Sequence, residues 1–179
     1  MRIFYNTAKA PQLLELPEPE DGSWLHLEAP AHEELEALAK KYDLDIDLLV
    51  DGIDPNESPR IEKDGPAVFI YTRYCLPEAD KMTTAPLLIV HAKGVTITIC
   101  RQPFTHLDQM TSGALGIVTN KRAQLTLQLL QVISNGYKRR IYSASRRILQ
   151  TRSLLDKDQI TNKDFISFID IEEDLNDFL

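Results

Sequence analysis

The chain changes its hydrophobic rhythm part way along. Up to about residue 100, apolar residues come in short bursts parted by proline, glycine and acidic turns; beyond Pro103 they recur every three or four positions. The first texture predicts strands and the second helices. Residues 1–7 predict a short strand and residues 13–16 a second, set off from the next segment by Pro11, Pro17 and Pro19. Trp24-Leu25-His26-Leu27 alternates and ends at Pro30, a third strand. His32-Glu33-Glu34 makes an acidic first turn, and Leu35, Leu38 and Ala39 continue at helical spacing. Residues 45–50 predict a second short helix, with Leu48 and Leu49 inward and Gly52 as its stop.

A turn-rich link covers residues 54–59, and then three strands are predicted over 67–74, 86–92 and 95–100. Lys93-Gly94 between the last two predicts a hairpin. A short helix is expected between Phe104 and Thr111, broken by Gly113 and Gly116. From about Asn120, Ala123, Leu127, Leu130, Ile133, Tyr137, Ile141, Ala144 and Ile148 mark a long helix, weakened at Gly136. Thr161 followed by Asp164 resembles a capping box, and Phe165, Phe168, Ile171, Leu175 and Phe178 form another helical stripe. That stripe is still running at Leu179, so the chain is expected to be a piece of something longer. The predicted fold is α+β: a three-layer α/β/α unit with a mixed or antiparallel sheet over 1–119, followed by long helices of the same unit over 120–179.

Composition adds little to this. The 179 residues are 43% hydrophobic and 26% charged, ordinary for a soluble globular protein. The formal net charge of −7 argues against nucleic acid or an anionic bilayer surface as a partner and leaves cations open. No apolar run approaches the roughly 20 residues needed to span a bilayer. Cys75 and Cys100 sit in strand-like surroundings and read as buried thiols; a disulfide between neighbouring strands is the lesser alternative.

The candidate chemistry is sparse. There is no glycine-rich phosphate loop, nucleophile elbow or His-Glu-x-x-His, so an enzyme is not expected. His26, His32, His91 and His106 are scattered and read as surface or satisfied core groups. The basic residues Lys138, Arg139, Arg140, Arg146, Arg147 and Arg152 read as a solvated face or as partners for the acidic segment holding Asp164, Asp170, Glu172, Glu173, Asp174 and Asp177. Hard cations such as Mg²⁺ favour carboxylate oxygen, and Mg²⁺ needs only one or two carboxylates because it keeps most of its waters. Glu78 and Asp80 are candidates, as are Asp54, Glu57 and Glu62.

One segment is more distinctive. Leu44-Asp45, Leu48-Leu49-Val50-Asp51, Asp54, Glu57, Pro59-Arg60-Ile61-Glu62 and Val68-Phe69-Ile70-Tyr71 stand in an order that resembles the CorA family of divalent-cation transporters. Trp24-Leu25-x-Leu27 with Pro30 and Glu33-Glu34-Leu35 upstream, and Pro86-Leu87-Leu88-Ile89 with Thr96-Ile97-Thr98-Ile99 downstream, extend the likeness over about residues 1–155. The resemblance implies a strand at Pro-Arg-Ile-Glu, and Arg60 there sits between carboxylates, placed to form buried or half-buried pairs. It further implies a cytoplasmic gating domain of a homopentameric Mg²⁺ channel that also passes Co²⁺ or Ni²⁺, with Zn²⁺ carried by close relatives. Weak regulatory Mg²⁺ would bind through acidic residues between subunits, with Glu78 and Asp80 as one half of a site. The chain would meet the membrane only through helices beyond Leu179, at the cytoplasmic face.

The chain departs from that pattern in three ways. It has no Gly-Met-Asn, no membrane helix and no stalk helix, so this stretch alone is not expected to conduct ions. Asn135-Gly136 stand about where some members carry an acidic pair. The rival expectation is a free-standing cytosolic α+β interaction module, and a second rival is an enzyme with an unrecognised pocket.

Overall fold

A computed structural model describes residues 1–7, 13–77 and 83–155, together with Asn162, Ile166 and Ile169. Strands β1 (Arg2–Tyr5), β2 (Leu14–Glu15) and β3 (Trp24–Glu28) come first. Helices α1 (His32–Tyr42) and α2 (Ile46–Asp51) follow, then strands β4 (Arg60–Asp64), β5 (Ala67–Cys75), β6 (Thr84–His91) and β7 (Thr96–Cys100). Helices α3 (Leu107–Thr111) and α4 (Arg122–Leu155) complete the described elements. The strands form one seven-stranded sheet in the order β2-β1-β3-β7-β6-β5-β4. Pairing is antiparallel except between β3 and β7, which run parallel, so the sheet is mixed.

The sheet is covered on both faces, and that explains its composition. Strand side chains alternate between faces. On one side Leu25, Leu27, Phe69, Tyr71, Leu88, Val90, Ile97 and Ile99 pack with Leu35, Leu38 and Leu49 of α1 and α2. On the other Phe4, Trp24, Tyr74, Leu87, Ile89 and Cys100 pack with Leu107 and Met110 of α3 and with Leu125, Leu129, Val132 and Ile133 of α4. A central strand such as β6 therefore reads as a continuous apolar run. Each fully buried Leu or Ile in these layers contributes about 1.5–3 kcal/mol. The three layers are those the sequence predicts.

Local chemistry sets the element ends. The α1 N-terminus carries Glu33 and Glu34, and Glu34 reaches back to accept from the Ala31 N–H at 3.1 Å; Asp43 closes the helix at φ 55°. Asp45 caps α2 by accepting from the Asp47 N–H at 2.8 Å. Gly52 ends α2 for a reason other than the expected left-handed stop, since its backbone is right-handed. A Cβ there would lie 2.6 Å from Leu88 Cδ2, so glycine lets α2 rest directly on the sheet.

Two expectations are met and a third changes in detail. Strand β4, absent from the periodicity and implied by the family resemblance, is present at the sheet edge opposite β5. Cys75 and Cys100 are both buried free thiols. They lie on β5 and β7, with β6 between them and opposite Thr84 and Leu87 of β6 respectively, which puts them roughly 14 Å apart and beyond disulfide reach. Finally, α4 is one helix of 34 residues, about 51 Å long, but it turns a different side inward. Leu125, Leu129, Val132 and Ile133 face the sheet and Gly136 meets His106, whereas Leu127 is 67% exposed and Ile141 49% exposed. The capping box at Thr161 and the stripe from Phe165 to Phe178 lie outside the described residues.

Candidate functional site: the carboxylates around Arg60

The turn between α2 and β4 brings two of the sequence-predicted acidic residues, Glu57 and Glu62, to one point. Pro59, which fixes an extended backbone leading into the strand, delivers Arg60 as the first residue of β4, directly opposite Tyr71 of β5. The guanidinium carbon lies 3.9 Å from the Tyr71 ring centroid. From there Arg60 donates to Asp51 at 2.7 Å, to Glu62 at 3.1 Å and to Glu57. These bonds, that to Glu57 foremost, hold the guanidinium pKa above its ordinary value. The cluster is half-buried: the side chains of Asp51 and Glu62 are 42% and 43% exposed and that of Glu57 13%. Each exposed pair is worth at most about 1 kcal/mol, so the set stabilises through its geometry as a network.

The neighbouring contacts fix this geometry. The Tyr71 hydroxyl donates to the Leu48 carbonyl at 2.8 Å, tying α2 to the sheet. Burial raises the Tyr71 phenol well above its usual value, so it remains a donor. Arg73 binds the turn from the other side through the carbonyls of Pro55 (3.0 Å) and Glu57 (2.9 Å) and holds Thr84 Oγ1 at 2.8 Å. A cleft of about 520 Å³ opens here, lined by Pro55, Glu57, Pro59, Arg73, Thr83 and Thr84. Asp54 accepts from the Asn56 N–H at 2.9 Å and shapes the turn without joining the cluster.

Chemically, the site is an anionic surface with one of its three negative charges offset by a guanidinium. It can attract a hydrated cation, and it presents no nucleophile and base in contact. Of the predicted metal residues, Glu57 and Glu62 meet here, while Glu78 and Asp80, in the connection between β5 and β6, lie outside the described residues. Asp51 joins the cluster unpredicted as a ligand, although its place at the end of α2 was a usable signal.

Of the histidines, His32 sits 3.3 Å from Glu36 at the surface. His91 bonds Thr126 Oγ1 at 2.8 Å across the sheet–α4 interface. His26 meets Glu28 and Cys100, a grouping that sequence reasoning did not find. Among the basic residues, Arg140 donates to the Leu76 carbonyl at 2.5 Å. The acidic segment expected to face them lies outside the described residues. Among the described residues, no helix is long and apolar enough to cross a membrane.

Comparison with known proteins gives a consistent answer. The model of the family described as CorA-like Mg²⁺ transporter protein matches residues 19–178. The complete CorA magnesium transporter from Methanocaldococcus jannaschii superposes with a TM-score of 0.81 at 21% identity, covering 99% of this chain and 57% of that one. The soluble domain of the same transporter gives 0.71 at 22% identity, covering 87% and 65%. The ZntB cytoplasmic domain from Vibrio parahaemolyticus gives 0.65 at 12% identity, covering 84% and 64%. This chain therefore spans less than two thirds of each, and at such identities the likeness is one of fold. No curated protein matches it.

Proposed function

Because the chain belongs to the CorA-like Mg²⁺ transporter family, we propose that it is the soluble regulatory and gating domain of a divalent-cation transporter rather than a catalyst. The observation that carries this is the family match over residues 19–178, in a chain that superposes on a CorA soluble domain at a TM-score of 0.71. In this reading the domain sits at the cytoplasmic face of a homopentamer, and residues 120–179 begin the funnel that leads to the membrane helices. The cargo is Mg²⁺, with Co²⁺, Ni²⁺ or Zn²⁺ as alternatives.

Regulation follows from electrostatics. Carboxylates facing one another across subunits repel, and a hydrated Mg²⁺ between them relieves the repulsion and holds the subunits in the closed arrangement. Glu78 and Asp80 form one half of such a site. The carboxylates around Arg60 fit a cation less well, because the guanidinium already takes one oxygen of each and offsets part of their charge; a water-separated ion suits them better.

Calorimetric titration of the chain with Mg²⁺ tests the assignment. Weak binding, in the millimolar range, is expected for a half-site with few carboxylates, and it should vanish in Glu78→Gln/Asp80→Asn. Micromolar affinity, or binding untouched by the double substitution, would overturn it. In the transporter carrying this domain, the same pair of substitutions should leave cation uptake running at internal Mg²⁺ levels that shut the unmodified protein.

A further inference from the structure

The parallel pair β3–β7 holds a second polar cluster, with β6 and β5 between it and β4. The register sets His26 beside Thr98 and Glu28 beside Cys100. Residues two apart share a face, so these four make a compact block toward the carboxyl ends of both strands. Phe104 covers it, its ring centroid 6.1 Å from that of His26 and 5.1 Å from that of Tyr74. His26 is 1% exposed and Cys100 fully buried, while Glu28 reaches solvent. His26 Nε2 lies 3.0 Å from Glu28 Oε1, and the ligand atoms of His26, Glu28 and Cys100 all fall within 4.8 Å of one another.

From this geometry we infer that His26 Nε2, the Glu28 carboxylate and Cys100 Sγ form a binding site for a borderline-soft divalent transition ion, Zn²⁺ or Co²⁺, distinct from any hard-cation site on the acidic surface. Thiolate and imidazole favour such ions over Mg²⁺. Ligand atoms on tetrahedral zinc stand roughly 3.5 Å apart, so small side-chain adjustments from the present spacing, within 4.8 Å, close the site. Two anionic ligands and one neutral ligand cancel the ion's charge, which suits a buried position.

The surroundings accommodate both the metal-free and the metal-bound forms. Trp24 Nε1–H donates to Thr98 Oγ1 at 2.8 Å. The Thr98 hydroxyl can give its own proton to His26 Nδ1, 2.7 Å away, or to the Leu25 carbonyl, 3.4 Å away. Without metal it gives to Nδ1, and His26 Nε2–H donates to Glu28. With metal, the hydroxyl turns to Leu25 and accepts from Nδ1–H, which frees the Nε2 lone pair for the ion. This is the orienting contact that metal-bound histidines commonly have. The Phe104 N–H, 2.8 Å from Glu28 Oε1, steadies the carboxylate. Cys100 exchanges its thiol proton for the ion: M²⁺ plus Cys–SH gives Cys–S–M⁺ and one H⁺ released to solvent. Cys100 is buried among apolar groups, which keeps a thiol protonated until metal displaces the proton.

The test uses the whole chain, reduced, titrated with Co²⁺ alone and read by absorbance. A near-ultraviolet thiolate-to-cobalt band should appear with release of one proton per chain. Zn²⁺ should abolish the band, and a large excess of Mg²⁺ should leave it. Cys100→Ser should lose the band, Cys75→Ser should keep it, and Glu28→Gln should keep a band but bind about tenfold or more weakly. Circular dichroism of each variant separates loss of binding from loss of fold, and Glu28→Gln carries the test should Cys100→Ser not fold. No band in the unsubstituted chain, a band surviving in folded Cys100→Ser, or undiminished affinity in Glu28→Gln overturns the site. None of these outcomes depends on the transport role.

Discussion

The His106 ring rests on the backbone of Gly136: a Cβ on that glycine would fall 2.7 Å from His106 Nε2. The residue that weakens α4 in a propensity count is therefore what allows α3 to approach α4. His106 is fixed from its other side by an edge-on contact with Phe104, centroids 5.6 Å apart, so it cannot easily retreat. Gly136→Ala gains up to about 1 kcal/mol in helix propensity but costs about 1–3 kcal/mol in overpacking. Urea denaturation should show a net loss of stability. In a His106→Ala background the sign should reverse, and Gly136→Ala should stabilise; a penalty that persists there would refute the contact.

Removal of the guanidinium at position 60 should expose the repulsion it masks. Arg60→Gln leaves Asp51, Glu57 and Glu62 facing one another, and a loss of about 1 kcal/mol is expected at low salt. Added salt should recover part of it by screening. Arg60→Lys should fall short of the native residue, since an ammonium can neither fork between carboxylates nor stack as flatly on Tyr71. A lysine variant as stable as the native chain at every salt concentration would show that the fork geometry is unimportant.

Stability should decline in mild acid. His91 and His106 are neutral imidazoles whose pKa values burial lowers below the ordinary value of about 6.5, with Arg122 and Arg139 pushing the same way. The unfolded chain takes up protons near pH 6.5 and the folded chain resists, so their contribution is complete above that pH and is lost as pH falls below it. Carboxylates with lowered values, such as Glu28, act only below about pH 4.3 and do not confuse this window. Urea midpoints should fall from about pH 7 to pH 5, less steeply in His106→Gln. A flat profile would contradict the burial of neutral imidazole.

How much of this was legible beforehand depends on how each residue is buried. Strands covered on both faces, such as β6 and β7, announce themselves as apolar runs. β4 hides because Arg-Ile-Glu-Lys-Asp at a sheet edge buries little, and Ile61 is 70% exposed. The length of α4 was plain, yet its inward side was not. The helix is apolar around more than half its circumference, so spacing reveals a helix without saying whether Leu127 or Leu129 meets the sheet. Glu57 and Glu62 around Arg60 were foreseen because they are close to it in sequence, whereas Asp51, nine residues away, was not. His26, Glu28 and Cys100 were not, because they meet through a strand register across 72 residues, as His26 and Thr98 do.

That separation also sets a clock on synthesis. Strand β3 lies between β1 and β7, and only β1 precedes it in the chain. A ribosome adding roughly 5–20 residues per second delivers β7 several seconds after β3. For that interval the amino-terminal strands wait with Trp24 and Leu25 uncovered and one edge open. The newborn domain is thus most vulnerable to wrong partners before its hundredth residue emerges, and chaperone contact should concentrate there.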